Sequence, residues 1–149
     1  MFKLTVLMTL LLFTYSVVNG FNGNGTASAD ISKADTVPDF HQVGYFKDDS
    51  KNHILTVRIP ATATKDQVEQ YAKDQTIKAG HPASLYFFED GSVIPVHGIM
   101  QAESLLAVND LLYNTDGLSK WRFAFMRKQN GSTRMVDCAK YPESDLCRT

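Results

Sequence analysis

Residues 83–97 read ASLYFFEDGSVIPVH. Ala83 to Glu89 is dense in aromatic and apolar side chains, the composition of a strand. Tyr86, Phe87 and Phe88 are consecutive, so rings fall on both faces of that strand. One face meets the main core; the other requires a helix, a neighbouring chain or a ligand. Asp90-Gly91 is a two-residue hairpin signal. Ser92 to His97 is therefore expected to return as a short or edge strand, because Pro95 cannot donate to a ladder.

Upstream, Phe40–Phe46 and His53–Ile59 read as two strands joined by a polar turn, KDDSKN (47–52). Leu55, Val57 and Ile59 alternate with Ile54, Thr56 and Arg58, the period of a strand with one face on a core. Pro60 ends it. Thr64 and Gln67 have the spacing of a capping box, so a helix is expected to about Lys78, with Gly80 as its stop.

Downstream, Ala102, Leu105, Leu106, Val108, Leu112 and Tyr113 form an apolar stripe that predicts a second helix over 100–113. Trp121, Phe123 and Phe125 are assigned to one face of a strand. Gln129-Asn130-Gly131-Ser132 turns, and 133–138 returns. The expected order is β-β-α-β-β-α-β-β. It predicts an α+β fold: an antiparallel sheet built from hairpins, with two helices packed on one face, in a single small domain.

The chain begins with Met1-Phe2-Lys3, then fifteen uncharged residues, LTVLMTLLLFTYSVV (4–18), then Asn19-Gly20. A basic tip, an apolar run and a small residue at its end form the pattern of a secretory signal peptide, residues 1–20. Fifteen is short of the roughly 20 residues that span a bilayer. Residues 21–36, rich in Gly, Asn, Ser and Ala, read as a flexible lead. Residues 37–149 read as the α+β domain with a C-terminal disulfide loop. Asn24-Gly25-Thr26 and Asn130-Gly131-Ser132 match glycosylation acceptors.

Cys138 and Cys147 are the two cysteines of the chain. In an oxidising compartment such a pair closes one disulfide around Ala139–Leu146. The C-x8-C spacing fits neither a redox nor a zinc motif.

Without residues 1–20 the chain carries 14 Lys and Arg against 16 Asp and Glu, a net charge of −2. That balance gives no electrostatic reason to expect nucleic acid or an anionic membrane. Lys120, Arg122, Arg127, Lys128 and Arg134 gather late in the chain and read as solvated strand faces. Of four histidines, His41, His53 and His97 can be drawn together into a three-His site. None of them has metal-motif spacing, so no metal and no cofactor is assigned. There is no G-x-S-x-G elbow and no Gly-rich phosphate loop.

Tyr86, Phe88, Trp121 and Tyr141 are the candidate interaction surface. The reading that results is a small secreted or periplasmic protein-binding module of the inhibitor, immunity or surface-interaction type. Its partner is expected to be another protein, with no membrane insertion after signal removal. The alternatives are a small secreted hydrolase with dispersed His and carboxylates, and a membrane-tethered envelope protein that keeps its N-terminus.

Overall fold

The computed structural model describes residues 38–147. The expected export segment and lead lie outside the described residues. The elements are β1 (His41–Lys47), β2 (His53–Ile59), α1 (Lys65–Asp74), β3 (Ala83–Glu89), α2 (Val96–Gln101), α3 (Leu105–Asn114), β4 (Phe123–Arg127) and β5 (Thr133–Asp137). They form an α+β fold on one five-stranded sheet, in the order β1-β2-β3-β4-β5.

The sheet is mixed rather than antiparallel. β1/β2, β3/β4 and β4/β5 are antiparallel, but β2 and β3 run parallel. Parallel neighbours need a crossover, and α1 supplies it. Thr64 opens α1 with the expected capping box: its hydroxyl accepts from the Gln67 amide at 3.3 Å, and its own amide donates to Gln67 Oε1 at 2.9 Å.

This crossover removes the hairpin expected at Asp90-Gly91. The tight turn does form, with Gly91 at φ +84° and the Ser92 amide donating to the Glu89 carbonyl at 3.1 Å. However, β3 is already flanked by β2 and β4, so no edge is free for a returning strand. Ser92–Pro95 instead leaves the sheet. Val93 exchanges hydrogen bonds with Ser119, 2.8 Å to Ser119 Oγ and 3.2 Å from the Ser119 amide, and the chain enters α2. The single helix expected over 100–113 is two helices. Ser104 interrupts it by accepting from the Ala107 amide at 3.2 Å as the N-cap of α3.

Both faces of the sheet are covered, which accounts for the consecutive rings of β3. On one face α1 buries Val68 and Ala72 against Leu55, Val57, Phe87 and Phe123. On the other, α2 and α3 bury Ile99, Val108 and Leu112 against Ile54, Tyr86, Phe88 and Ala124. The two helical regions expected on a common face thus serve opposite faces. Trp121 also changes sides. A bend at Arg122 precedes β4, so strand alternation does not reach Trp121. Its indole packs in the α2/α3 cluster, away from Phe123 and Phe125.

Cys138 and Cys147 are joined, with Cα atoms 5.4 Å apart. Asp137 folds the intervening loop. Its carboxylate accepts from the Ala139 and Lys140 amides, and its carbonyl accepts from the Tyr141 amide at 2.9 Å. Among the described residues no helix is long and apolar enough to cross a membrane.

Candidate functional site

The four aromatic residues expected to form a contact surface separate sharply. Tyr86, Phe88 and Trp121 are 4, 1 and 2 % exposed, whereas Tyr141 is 47 % exposed. The first three are core. Trp121 lies 4.6 Å from Tyr86 and 5.0 Å from Tyr113 between ring centroids, and its Nε1 donates to the Leu146 carbonyl at 2.9 Å. A strand with two covered faces leaves its rings in the core rather than on an exposed patch.

Tyr86 still reaches the wall of an open groove of about 540 Å³. β3 directs its ring toward α3, and its hydroxyl lies 3.2 Å from that of Tyr113. Burial raises both phenols above their ordinary value, Tyr86 the more strongly, so they stay neutral. Ile54, Leu105, Leu106, Met126 and Leu146 supply apolar lining, and Asp110 and Asp145 supply acidic groups. Leu106, just inside the N-terminus of α3, is 78 % exposed. The apolar stripe of α3 was visible in the sequence; that one of its leucines faces outward was not.

The histidines do not assemble as drawn. His41 is exposed and bonds Asp39 at 2.9 Å. The β1/β2 register opposes His41 to Arg58 and Lys47 to His53, which puts the two histidines at opposite ends of the ladder. His97 is exposed on α2. Among the described residues no three His, Cys, Asp or Glu side chains come together to hold a metal ion.

His53 instead meets His81. Its ring is 8 % exposed. Nε2 lies 3.3 Å from Nδ1 of His81, and Nδ1 lies 2.9 Å from the Tyr45 hydroxyl. The imidazoles stack at 5.5 Å between centroids with planes 21° apart. The parallel β2/β3 register produces this meeting: His53 opposes Ala83, and its amide donates to the Pro82 carbonyl at 2.9 Å. The loop before β3 is thereby laid against the first residue of β2. Burial lowers the affinity of His53 for a proton, and the charges of Lys47, His81 and Arg127 lower it further. Desolvation does the same to His81, assisted by Lys78, Lys47, Lys51 and Arg127. The result is a Tyr45–His53–His81 hydrogen-bonded chain whose two imidazoles are both held toward the neutral form, with one imidazole N–H shared between the rings.

The basic side chains of the C-terminal third are dispersed in role. Arg122 pairs with Glu89, Arg134 pairs with Asp145 at 2.7 Å, and Arg127 donates to the Ile77 carbonyl at 3.0 Å. The chain matches no protein-family model, no curated protein and no solved structure.

Proposed function

We propose that the protein is a small secreted or periplasmic protein-binding module that takes its partner in the groove beside α3. The observation that carries this reading is Leu106, a large apolar side chain 78 % exposed on a groove of about 540 Å³. That volume falls within the roughly 300–1,000 Å³ of ordinary binding pockets. It suits one or two side chains of an extended partner segment. Asp110 favours a segment with a basic residue beside its apolar one. The assignment to an oxidising compartment is supported by the Met1–Gly20 pattern together with the Cys138–Cys147 bond.

The test uses the protein with its disulfide intact as bait against an extract of its own compartment. The captured partner is identified by mass spectrometry, purified and rebound. Leu106 is exposed, so Leu106→Asp leaves the fold in place. It is expected to weaken binding about tenfold or more, the behaviour of an apolar anchor, while Tyr141→Ser leaves binding unchanged. Absence of a stoichiometric partner at micromolar bait would overturn the binding reading. A partner indifferent to Leu106→Asp would overturn the groove.

A further inference from the structure

At the end of the sheet where β2 and β3 begin, one row of paired positions crosses four strands. Lys47 opposes His53, His53 opposes Ala83, and Ala83 opposes Arg127. Directly paired positions share a face of a sheet, so Lys47, His53 and Arg127 emerge on the α1 face. The flanking loops add His81 itself, together with Lys51 and Lys78, whose charges act on His81. Two cations of the row, Lys47 and Arg127, thus bear on both imidazoles, and two loop cations, Lys51 and Lys78, bear on His81. The acidic group facing them is Asp48, whose carboxylate is engaged by the Asn52 amide at 2.8 Å and the Asn52 side chain at 2.7 Å.

Clustered cations repel one another, and a chain with near-balanced overall charge gains nothing from gathering them unless a counter-charge joins them. The hydrogen bonding of the pair supplies a directed donor for that counter-charge. When Tyr45 donates to His53 Nδ1, His53 Nε2 carries the proton that points at His81 Nδ1. His81 must then carry its own proton on Nε2, the nitrogen for which no partner is found among the described residues. That N–H is oriented away from the pair. The tautomer that serves an anion is therefore the one the Tyr45 hydroxyl stabilises.

We infer that Lys47, Lys51, Lys78, Arg127 and His81 form a binding site for a tetrahedral oxyanion, a phosphate or sulfate group, with His53 and Tyr45 as positioning residues behind His81. This site borders the His53 end of the partner groove but does not use Leu106 or α3, and it does not depend on the partner reading.

The experiment follows the histidine ring resonances of the full-length, disulfide-intact protein by NMR. The protein is titrated with inorganic phosphate, inorganic sulfate and phenyl phosphate, with chloride exchanged to hold ionic strength constant. Saturable shifts of His81 and His53, with His41 and His97 unmoved, are expected. Tighter binding of phenyl phosphate than of phosphate assigns the group to an esterified ligand, and equal binding assigns it to the free anion. Hydrogen bonds to charged groups are worth enough that His81→Gln or Lys47→Gln is expected to weaken binding about tenfold. Both positions lie outside the apolar clusters, and amide spectra of the variants check the fold. Leu106→Asp leaves anion binding unchanged. Shifts that rise linearly without saturation for all three anions, or affinities equal in wild type and both variants, would overturn the site.

Discussion

The indole Nε1 of Trp121 donates a 2.9 Å hydrogen bond to the carbonyl of Leu146, the residue before Cys147. Leu146 is 4 % exposed and Cys147 is 4 % exposed, so the C-terminal loop closes the α2/α3 face of the core. The disulfide holds that loop against the indole, and the Cys138 amide ties it to the bend before β4 through the Arg122 carbonyl at 2.8 Å.

Replacing both cysteines by serine is therefore expected to cost stability in two ways. Loss of loop closure over a segment this short contributes about 2.5–3 kcal/mol. Release of Leu146 additionally leaves the buried indole N–H without its acceptor, which costs about 1–3 kcal/mol if the loop detaches. Urea unfolding followed by tryptophan fluorescence reads the first quantity. A red shift of native-state emission reads the second. An unchanged midpoint would show that the loop is held without its bridge.

Gly44 faces Thr56 across the β1/β2 ladder, beside the bulge that shifts register between Gln42 and Gly44. A Cβ on Gly44 would stand 2.4 Å from Thr56 Oγ1. Thr56 is fully buried and β-branched, so its hydroxyl has nowhere to turn. Gly44→Ala is expected to destabilise the fold by about 1–3 kcal/mol through overpacking. Thr56 Oγ1 has no hydrogen-bond partner among the described residues. Thr56→Val removes a buried, unsatisfied hydroxyl and is expected to be neutral or stabilising by about 1 kcal/mol. Thermal melts of the two variants decide this. A destabilised Thr56→Val would mean that the hydroxyl is satisfied in solution.

What local sequence could show, it showed well. The aromatic-rich stretch Ala83–Glu89 marks β3, alternation delimits β2, and Thr64 and Gln67 mark the start of α1. Failures lie where a local signal leaves the partner open. Asp90-Gly91 makes its turn, but turn chemistry cannot say whether the next edge is free; the α1 crossover decides that from a distance. Ser104 is a good cap hidden inside a continuous apolar stripe, and periodicity outweighed it. Trp121 sits one residue before a bend, where alternation ceases to hold. His53 and His81 are 28 residues apart, and only the parallel register brings them together. Any candidate site drawn from antiparallel hairpins was bound to miss that pair.

The imidazole pair makes stability depend on pH in a window of its own. His53 and His81 are both held below the ordinary value of 6.5, chiefly by desolvation and then by the surrounding cations. Between the folded and unfolded values the unfolded chain binds more protons, so stability rises with pH. The contribution is complete above about 6.5 and is lost as pH falls toward the folded values. Asp48 and Asp145 are held below 3.8, so their contributions disappear only at lower pH. A Tm series is expected to fall first just below pH 6.5, and His81→Gln flattens that first step. A flat wild-type curve from pH 7 to 5 would contradict it.

An oxyanion on the His81 side must reverse this shift. A negative charge beside the pair favours its protonated form, so the bound state holds a proton that the free state releases. Linkage then requires anion affinity to rise as pH falls through the window between the free and bound histidine values. Sulfate separates this effect from titration of the ligand, because its charge is constant across that range. The gain is limited to one proton. With Nε2 of His53 and Nδ1 of His81 only 3.3 Å apart, a second proton would set two N–H groups against each other. Calorimetry in two buffers of different ionisation enthalpy is thus expected to report net proton uptake, at most one proton per sulfate, below about pH 6.5. Affinity should rise at most about tenfold per pH unit. Uptake of none would detach the imidazole pair from the cations around it.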